Sequence, residues 1–330
     1  SPLYRQAGRL PVAVERYFSS LLESVRGVPA SVRDVPASLL PGEGAQAAVQ
    51  SIAQTRSVPA GLMPQVRSGS TFLPDSATLE TYGRPERVGI FTIPDDSVTG
   101  VKVTGNPGTG NANWSFKVKM SNGEAGAFKP IMGERMEGMR RTITNTGMTL
   151  AEREVLTSIV DEYLGYGLVP ETRLVRLSTK GIGDHVTEAR EGSLQHWRPG
   201  ESFYALRRKL PAGVTPEEKF KFVTLDYLIG NTDRHGNNWL ITESGKIWSI
   251  DNGYTFPNGT IGDTSIRGAG GLQELRMDFV SCMDDKERFI EHLVNTTMSV
   301  IDDTLKRLKY LDVEELTKGF AISDREITAF

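Results

Sequence analysis

The sequence predicts an α+β fold of two lobes preceded by an N-terminal extension. Two observations predict it: short β-type runs gather in the first half of the 330-residue chain, and apolar residues recur at helical spacing beyond Asp284. Strands early and helices late are typical of α+β domains rather than of alternating α/β ones. We place the extension at residues 1–86, a β-rich lobe at 87–192 and a helical lobe at 193–330.

The extension begins with a predicted amphipathic helix at residues 11–26, where apolar residues share one face. Packing within the protein is the simpler interpretation of this helix, and docking to a protein partner or to a membrane is the alternative. Residues 27–70 are rich in Pro, Gly, Ala, Ser and Gln without clear periodicity. That composition favours a linker or a loosely packed segment.

The first lobe should contain several strands and at least one hairpin. An Asn-Gly pair at Asn122 and Gly123 is typical of a tight hairpin turn. A second hairpin is expected around residues 243–245. The predicted strands are 101–103, 114–120, 125–128, 172–177, 239–242 and 246–250.

Two helix starts carry the spacing of a capping box, in which a threonine is followed three residues later by a glutamate. Thr149 and Glu152 form the first pair, and Thr215 and Glu218 form the second. The first helix should run to about Leu164, because glycines follow it immediately.

Bulk properties exclude some classes of protein. The formal net charge of −3 gives no electrostatic reason to expect a nucleic-acid partner. The single cysteine, Cys282, excludes an intramolecular disulfide and favours a reducing compartment. No apolar run reaches the ~20 residues of a membrane span. We therefore expect a cytoplasmic or other soluble intracellular protein, with delivery into a host cell as an alternative. The chain begins Ser1-Pro2, so a leader segment could have been trimmed.

The most specific signal is a polar set comprising Asp233, Asn238 and Asp251. The first two lie on a loop between a predicted helix and a predicted hairpin, and that hairpin returns the chain to Asp251. Phosphoryl transfer needs a carboxylate beside the attacking hydroxyl, and an amide and a second carboxylate for the metal ions. An Asx-rich turn without chemistry is the alternative.

The stretch Asn-Thr-Asp-Arg-His-Gly-Asn-Asn-Trp-Leu-Ile, followed by Ile-Asp-Asn-Gly, resembles the catalytic and metal loops of the phosphatidylinositol 3/4-kinase group. It is most similar to the type II phosphatidylinositol 4-kinases and their bacterial relatives, and more distantly to HipA-like kinases. The resemblance implies a protein-kinase-like fold. It implies that Asp233 is the catalytic aspartate, Asn238 a catalytic and metal-binding asparagine, and Asp251 a metal-binding aspartate.

The resemblance extends upstream to Ala-Phe-Lys-Pro, which implies that Lys129 contacts the ATP phosphates and serves catalysis. It implies that Glu154 pairs with this lysine; Glu152, the rival, already has a capping role. Gly108 and Gly110, in a glycine-rich loop between two strands, would cover the phosphates.

The resemblance further implies that residues 192–197 link the lobes. The backbone groups of Leu194, Gln195 and His196 would then contact adenine. Arg234 and His235 also lie within the loop. For the histidine, phosphate contact, a solvent-facing position and bracing of the loop are the open interpretations. The other histidines lack the spacing of zinc ligands, so no zinc site is expected.

The cofactors implied are ATP and Mg²⁺, with Mn²⁺ as the alternative. The departures from eukaryotic relatives favour a bacterial or phage source. We expect a protein Ser/Thr kinase as the first choice, because clustered cysteines for lipid anchoring are lacking. A phosphoinositide acceptor is the runner-up. A catalytically silent nucleotide-binding module and an enzyme that transfers AMP are the remaining alternatives.

Overall fold

In a computed structural model of the protein, the described residues are 72–80, 89–105, 113–132, 134, 147–177, 191–207, 209–231, 233–257, 300, 303–304, 306–308 and 310–322. The chain divides into two compact units, residues 1–63 with 282–311 and residues 64–281 with 312–330. Predictions for helix 11–26, linker 27–70 and the loop with Gly108 and Gly110 lie outside the described residues, as does most of the chain beyond Asp284. In the first unit, the exposed Arg307 Nε donates to Asp303 Oδ2 at 2.9 Å.

The second unit contains a seven-stranded sheet with the spatial order β1-β2-β6-β7-β5-β4-β3. Neighbouring strands are antiparallel except β2 and β6, which are parallel. The strands are β1 (Thr78–Glu80), β2 (Ile90–Ile93), β3 (Val98–Gly105), β4 (Ser115–Met120), β5 (Ala125–Pro130), β6 (Thr172–Leu177) and β7 (Glu191–His196).

The predicted hairpin between β4 and β5 is confirmed. Gly123 adopts a φ of 87°, a left-handed conformation that side chains disfavour, and its N–H donates to the carbonyl of Met120. Strand β3 is longer than predicted and begins at Val98, because pairing with β4 extends over the whole strand.

One face of the sheet carries the apolar core. Phe116, Phe128 and Leu194 are fully buried there. Phe72 joins them and lies over Gly126, where an added Cβ would come within 2.7 Å of the phenyl ring. Residues 72–80, which the sequence prediction assigns to the extension, therefore contribute to this core and to β1.

Helix α1 (Leu150–Leu164) has the predicted bounds and contacts β6 and β7. Both halves of its capping box form: Thr149 Oγ1 accepts from Glu152 N at 3.1 Å, and Glu152 Oε2 accepts from Thr149 N at 2.9 Å. Gly165 ends the helix with a φ of 68°. Glu134 adds a second acceptor for the first turn, since it binds the N–H groups of residues 150 and 151.

At the start of helix α2 (Pro216–Leu228), the predicted second capping box forms only in part. Thr215 Oγ1 accepts from Glu218 N at 3.1 Å, so half of the box forms. The Glu218 side chain does not reach back, because its Oε1 accepts instead from Lys246 Nζ at 2.7 Å and Ile247 N at 3.1 Å. An ion pair with the neighbouring hairpin thus replaces the local bond.

A second, three-stranded sheet lies beside α2, in the order β10-β9-β8. Its strands are β8 (Glu201–Ser202), β9 (Trp239–Ile241) and β10 (Ile247–Ser249). The predicted hairpin of β9 and β10 is confirmed, whereas β8 is too short to carry a periodic signal. A short helix, α3 (Val313–Thr317), follows later. The predicted α+β class is confirmed, and no helix among the described residues is long and apolar enough to cross a bilayer.

Candidate active site

The loop at residues 233–238 connects α2 to β9 and is organised around a buried arginine. Arg234 is fully buried and forms a two-pronged ion pair with Asp226 on α2, with Nε–Oδ2 and Nη2–Oδ1 distances of 2.8 and 3.0 Å. A forked guanidinium matches a carboxylate in this way. The loop is therefore tied to the helix that precedes it.

The same guanidinium also binds the segment that follows the hairpin. Its remaining N–H groups donate to acceptors on the loop and on residues 249–252: Asn238 O, Ile250 O, Ser249 Oγ and Asn252 Oδ1. Ile250 N also donates to Asn238 O at 3.1 Å. These bonds place residues 238 and 250 side by side, and they bring Asp251 next to the loop.

Two asparagines hold Asp233 in place. Asn231 Oδ1 accepts from Asp233 N at 2.9 Å, and Asn238 Nδ2 donates to Asp233 O at 2.8 Å. Asn238 Nδ2 also lies 3.4 Å from Asp233 Oδ2. The backbone of Asp233 is thus fixed on both sides, while its side chain stays 34% exposed and accessible to a substrate.

Lys129, on β5, joins two elements that are distant in sequence. Its Nζ lies 2.5 Å from Glu154 Oε1 on α1 and 2.8 Å from Asp251 Oδ1. Burial alone would lower the pKa of Lys129, but the charges of Asp251 and Glu154 outweigh it and raise that pKa above its usual value. The charge of Lys129 in turn lowers the pKa of Asp251.

Asn238 and Asp251 offer the donor atoms that a magnesium site requires. Because Asn238 donates through Nδ2 to Asp233, its Oδ1 is the end turned towards other partners. An amide oxygen and a carboxylate are hard ligands of the kind that Mg²⁺ and Mn²⁺ prefer. Among the described residues, no group of three or more His, Cys, Asp or Glu side chains is arranged to hold a metal ion.

A second buried arginine ties α1 to the chain after Asp251. Arg153 is fully buried, and its Nη1 donates to the carbonyls of Thr255 and Phe256. Thr157, one turn later on α1, hydrogen-bonds Thr255 through the two hydroxyls at 3.2 Å. The helix that carries Glu154 and the segment that carries Asp251 are therefore joined independently of Lys129.

The residues predicted to contact adenine, Leu194, Gln195 and His196, are the last three of β7. Leu194 is buried in the core, and Leu194 and Gln195 are paired with β5 on one side and with β6 on the other. His196 N donates to Glu171 O, and Trp197 N donates to Ala125 O. The connection between the two sheets is residues 197–200, so only Trp197 of the predicted link 192–197 lies in it.

Lys129 lies on the face of the sheet opposite the apolar core. By register, Ala127 and Lys117 lie on this face next to Lys129. Lys117 Nζ lies 4.1 Å from the ring centroid of Trp197, at the start of the connection between the sheets. Lys129, Ala127 and Lys117 therefore lead along this face towards the connection.

The sequence pattern did not reveal the two buried arginines. The sequence places Arg234 in the loop without indicating its role, and the structure shows that it braces the loop. A signal was available in Asp226, eight residues earlier, because a buried acidic residue on a core helix requires a partner. Nothing in the pattern around Arg153 marked its contact with residues 255 and 256.

Parts of this sequence match known phosphatidylinositol kinases. A profile described as Phosphatidylinositol 3- and 4-kinase matches residues 219–305, which include Asp233, Asn238 and Asp251. Phosphatidylinositol 4-kinase gamma 4 of Arabidopsis thaliana is 30% identical over an alignment of 183 residues that covers 47% of this chain. The chain is thus similar to phosphatidylinositol 3/4-kinases over part of its length. It spans 32% of the length of that plant protein.

Two solved kinase structures are similar to this chain only at low identity and with low TM-scores. The kinase domain of maize sucrose-induced receptor kinase 1, bound to AMP-PNP, is 12% identical with a TM-score of 0.32, covering 65% of this chain and 95% of its own. The Golgi casein kinase with Mn and ADP bound is 14% identical with a TM-score of 0.34, covering 71% and 74% respectively.

Proposed function

We propose that this protein is an ATP- and magnesium-dependent phosphotransferase that moves the γ-phosphoryl group to a hydroxyl. The observation that carries the proposal is the position of Lys129 Nζ, 2.5 Å from Glu154 and 2.8 Å from Asp251, beside the loop that orients Asp233. A phosphate-binding cation, a metal-binding carboxylate and a carboxylate for the hydroxyl are the parts that such a transfer needs.

Lys129 and Asp251 are proposed to exchange partners when the nucleotide binds. Lys129 would turn from Asp251 to the phosphate oxygens while it keeps Glu154, whose side chain is 3% exposed. Asp251, with a side chain that is 51% exposed, would turn to the divalent cation together with Asn238. When bound, the cation would neutralise charge on the phosphates and on the transferring group.

Asp233 is proposed to orient the acceptor hydroxyl and to accept its proton. Its backbone is fixed by Asn231 and Asn238, so the carboxylate needs little reorganisation before transfer. A positioned base of this kind typically contributes about 10²–10⁴ in rate.

The nucleotide is proposed to lie along the sheet face that carries Lys129, Ala127 and Lys117. With the phosphates at Lys129, the base would extend past the small side chain of Ala127 towards residues 197–200. Lys117 and Trp197 would then border the base. The backbone of residues 198–200 replaces that of Leu194–His196 as the proposed adenine contact.

For the acceptor, we propose a Ser or Thr hydroxyl of a protein. The second candidate is a phosphoinositide, which is favoured by the profile match over residues 219–305 and by the name of the Arabidopsis relative. Both acceptors present a hydroxyl to the same site, so the chemistry proposed for Asp233 serves either.

Labelled nucleotide separates these outcomes. The protein is incubated with γ-labelled or α-labelled ATP and Mg²⁺, with a protein acceptor mixture or with phosphoinositide vesicles. We expect γ-label on protein. Label on lipid would select the second candidate, and α-label on protein would replace phosphoryl transfer by AMP transfer.

Asp233→Asn is the diagnostic variant, with Asp303→Asn on the exposed surface as its control. We expect a loss of about 10²–10⁴ in transfer for Asp233→Asn and unchanged nucleotide binding by calorimetry. The control should retain activity, because Asp303 belongs to an exposed ion pair. Full turnover by Asp233→Asn would disprove the assignment of the base.

A further inference from the structure

A tyrosine outside the loop contacts it from β8 and the turn that follows. Tyr204 N donates to Gly236 O at 3.3 Å, and Ser202 Oγ donates to Asn237 Oδ1 at 3.2 Å. The side chain of Tyr204 nevertheless remains 39% exposed. The segment therefore borders residues 235–237 on their solvent side without closing them off.

The ring of Tyr204 lies directly on Gly236. A Cβ added to Gly236 would come within 2.4 and 2.5 Å of Cδ1 and Cε1 of this ring, so a side chain at this position would force the ring to shift. Glycine thus allows the aromatic ring to approach the backbone of the loop this closely.

The same ring is parallel to the imidazole of His235, with a centroid separation of 6.4 Å and an interplanar angle of 6°. His235 Nδ1 accepts from Asn237 N at 3.3 Å. The neutral ring therefore carries its proton on Nε2, because a nitrogen that accepts a hydrogen bond has no proton of its own. His235 Nε2 lies 3.8 Å from Asp233 Oδ2.

We propose that Tyr204 is a positioning residue for phosphoryl transfer, which keeps the Nε2 edge of His235 turned towards the carboxylate of Asp233. The inference rests on the proposed function, since it assigns Tyr204 a part in orienting the proposed base. Tyr204 acts through His235 and Gly236. It supplies a flat surface, and the hydroxyl group is not needed for this role.

Kinetics of three variants and a control test the proposal. Tyr204→Phe keeps the flat ring, Tyr204→Leu keeps bulk over Gly236 without a ring, and Tyr204→Ala removes both. Leu79→Ala is the control, because Leu79 has a similar exposure of 36% and lies on β1 of the larger sheet.

We expect kcat to fall by about 10- to 100-fold in the Leu and Ala variants, because small misplacements of a catalytic group have effects of this size. The KM for ATP should change less than about twofold, since Lys129 and Asp251 are untouched. Tyr204→Phe and Leu79→Ala should retain the kcat of the parent protein. Equal loss in the Phe and Ala variants, or a parent-like kcat in Tyr204→Leu, would overturn the proposal.

Proton NMR of the histidine rings provides a test that needs no turnover. The chain has four histidines, so the His235 ring protons can be assigned by their absence in His235→Asn. The parallel tyrosine ring should change the chemical shifts of these protons. This change should persist in Tyr204→Phe and disappear in Tyr204→Leu. Persistence in Tyr204→Leu would contradict the stacking. Failure of the parent protein to transfer phosphate would instead reject the proposed function and leave the stacking result intact.

Discussion

Lys129 and Arg234 are the two cations at the centre of the site, and they are bound in opposite ways. Arg234 is fully buried and directs its N–H groups to five residues on three segments. Lys129 remains 21% exposed and contacts two carboxylates, of which one is half exposed. Arg234 therefore builds the loop, whereas Lys129 is held in a way that allows a partner to be replaced.

The difference follows from the chemistry of the two side chains. A guanidinium presents several donors in a fixed plane and suits a permanent junction between backbone carbonyls and a carboxylate. An ammonium on a flexible stem can turn from one anion to another. Arg234 stands next to the proposed catalytic Asp233 in sequence, yet its role is structural. Replacing each of the two cations tests this contrast.

The largest effect is expected from Arg234→Met. Removing the guanidinium leaves Asp226 buried without its partner, and breaking a buried pair in this way typically costs about 3–5 kcal/mol. Denaturant unfolding measures the loss. The matched control is Arg307→Met, whose exposed ion pair with Asp303 should contribute at most about 1 kcal/mol. Equal stabilities for the two variants would refute the structural role of Arg234.

Lys129→Met should lower stability less than Arg234→Met does, and it should weaken ATP binding more. The buried carboxylate of Glu154 loses its partner, which should lower the free energy of unfolding by about 1–3 kcal/mol. ATP affinity, measured by calorimetry, should fall sharply because the phosphates lose their cation. In the double variant Lys129→Met/Glu154→Gln, we expect stability to recover while affinity does not.

Lys246→Met is the control for Lys129. Lys246 Nζ lies 2.7 Å from Glu218 Oε1, and the lysine side chain is 31% exposed. This variant removes a half-buried lysine–glutamate pair outside the proposed site, so its ATP affinity should match that of the parent. A parallel loss of affinity in both variants would show that Lys129 acts only through stability.

The remaining prediction concerns the pH dependence of stability and depends on Asp161, a buried carboxylate held by backbone N–H groups of Leu168 and Val169 rather than by a partner such as Arg234. Burial raises the pKa of Asp161 to about 7, above its usual value near 4. Between pH 4 and pH 7, the folded protein therefore holds a proton on Asp161 that the unfolded chain has lost. This group should therefore make stability fall as pH rises from 4 to 7, by at most about 1.4 kcal/mol per pH unit.

Asp161→Asn tests this dependence, because the amide keeps an acceptor oxygen for both N–H groups and does not titrate. Thermal unfolding from pH 4 to 8 should show a flatter profile for the variant than for the parent, with the variant gaining relative stability as the pH rises from 4 to 7. Parallel profiles would show that Asp161 titrates alike in the folded and unfolded chains.

Local signals in the sequence predicted much of the fold. The capping box at Thr149 and the Asn-Gly turn at Gly123 depend on neighbouring residues, so α1 has the expected bounds and the β4–β5 hairpin turns where expected. Strand β8 and residues 72–80 were missed because they take their structure from distant partners, such as the contact of Phe72 with Gly126. Glu218 shows the same limit, since its distant partner Lys246 replaces the local cap.

For the site, the sequence suggested which residues carry the chemistry but not how they are supported. Lys129, Glu154 and Asp251 were selected by resemblance, and the structure brings their charged groups together. The contacts of Arg153, Arg234 and Tyr204 depend on the packing of segments separated along the chain, and no local spacing encodes them. Their roles in catalysis and binding remain predictions.

The bonds from Arg153 to the carbonyls of residues 255 and 256 limit how this protein could be controlled. An outward swing of α1 would leave a buried guanidinium and two carbonyls without partners, a penalty of several kcal/mol that a weak effector could not supply. The helix and the Asp251 segment should therefore travel as one rigid body. The activity of such an enzyme would then be controlled by what binds beside Lys129, rather than by rotation of α1 away from the Asp251 segment.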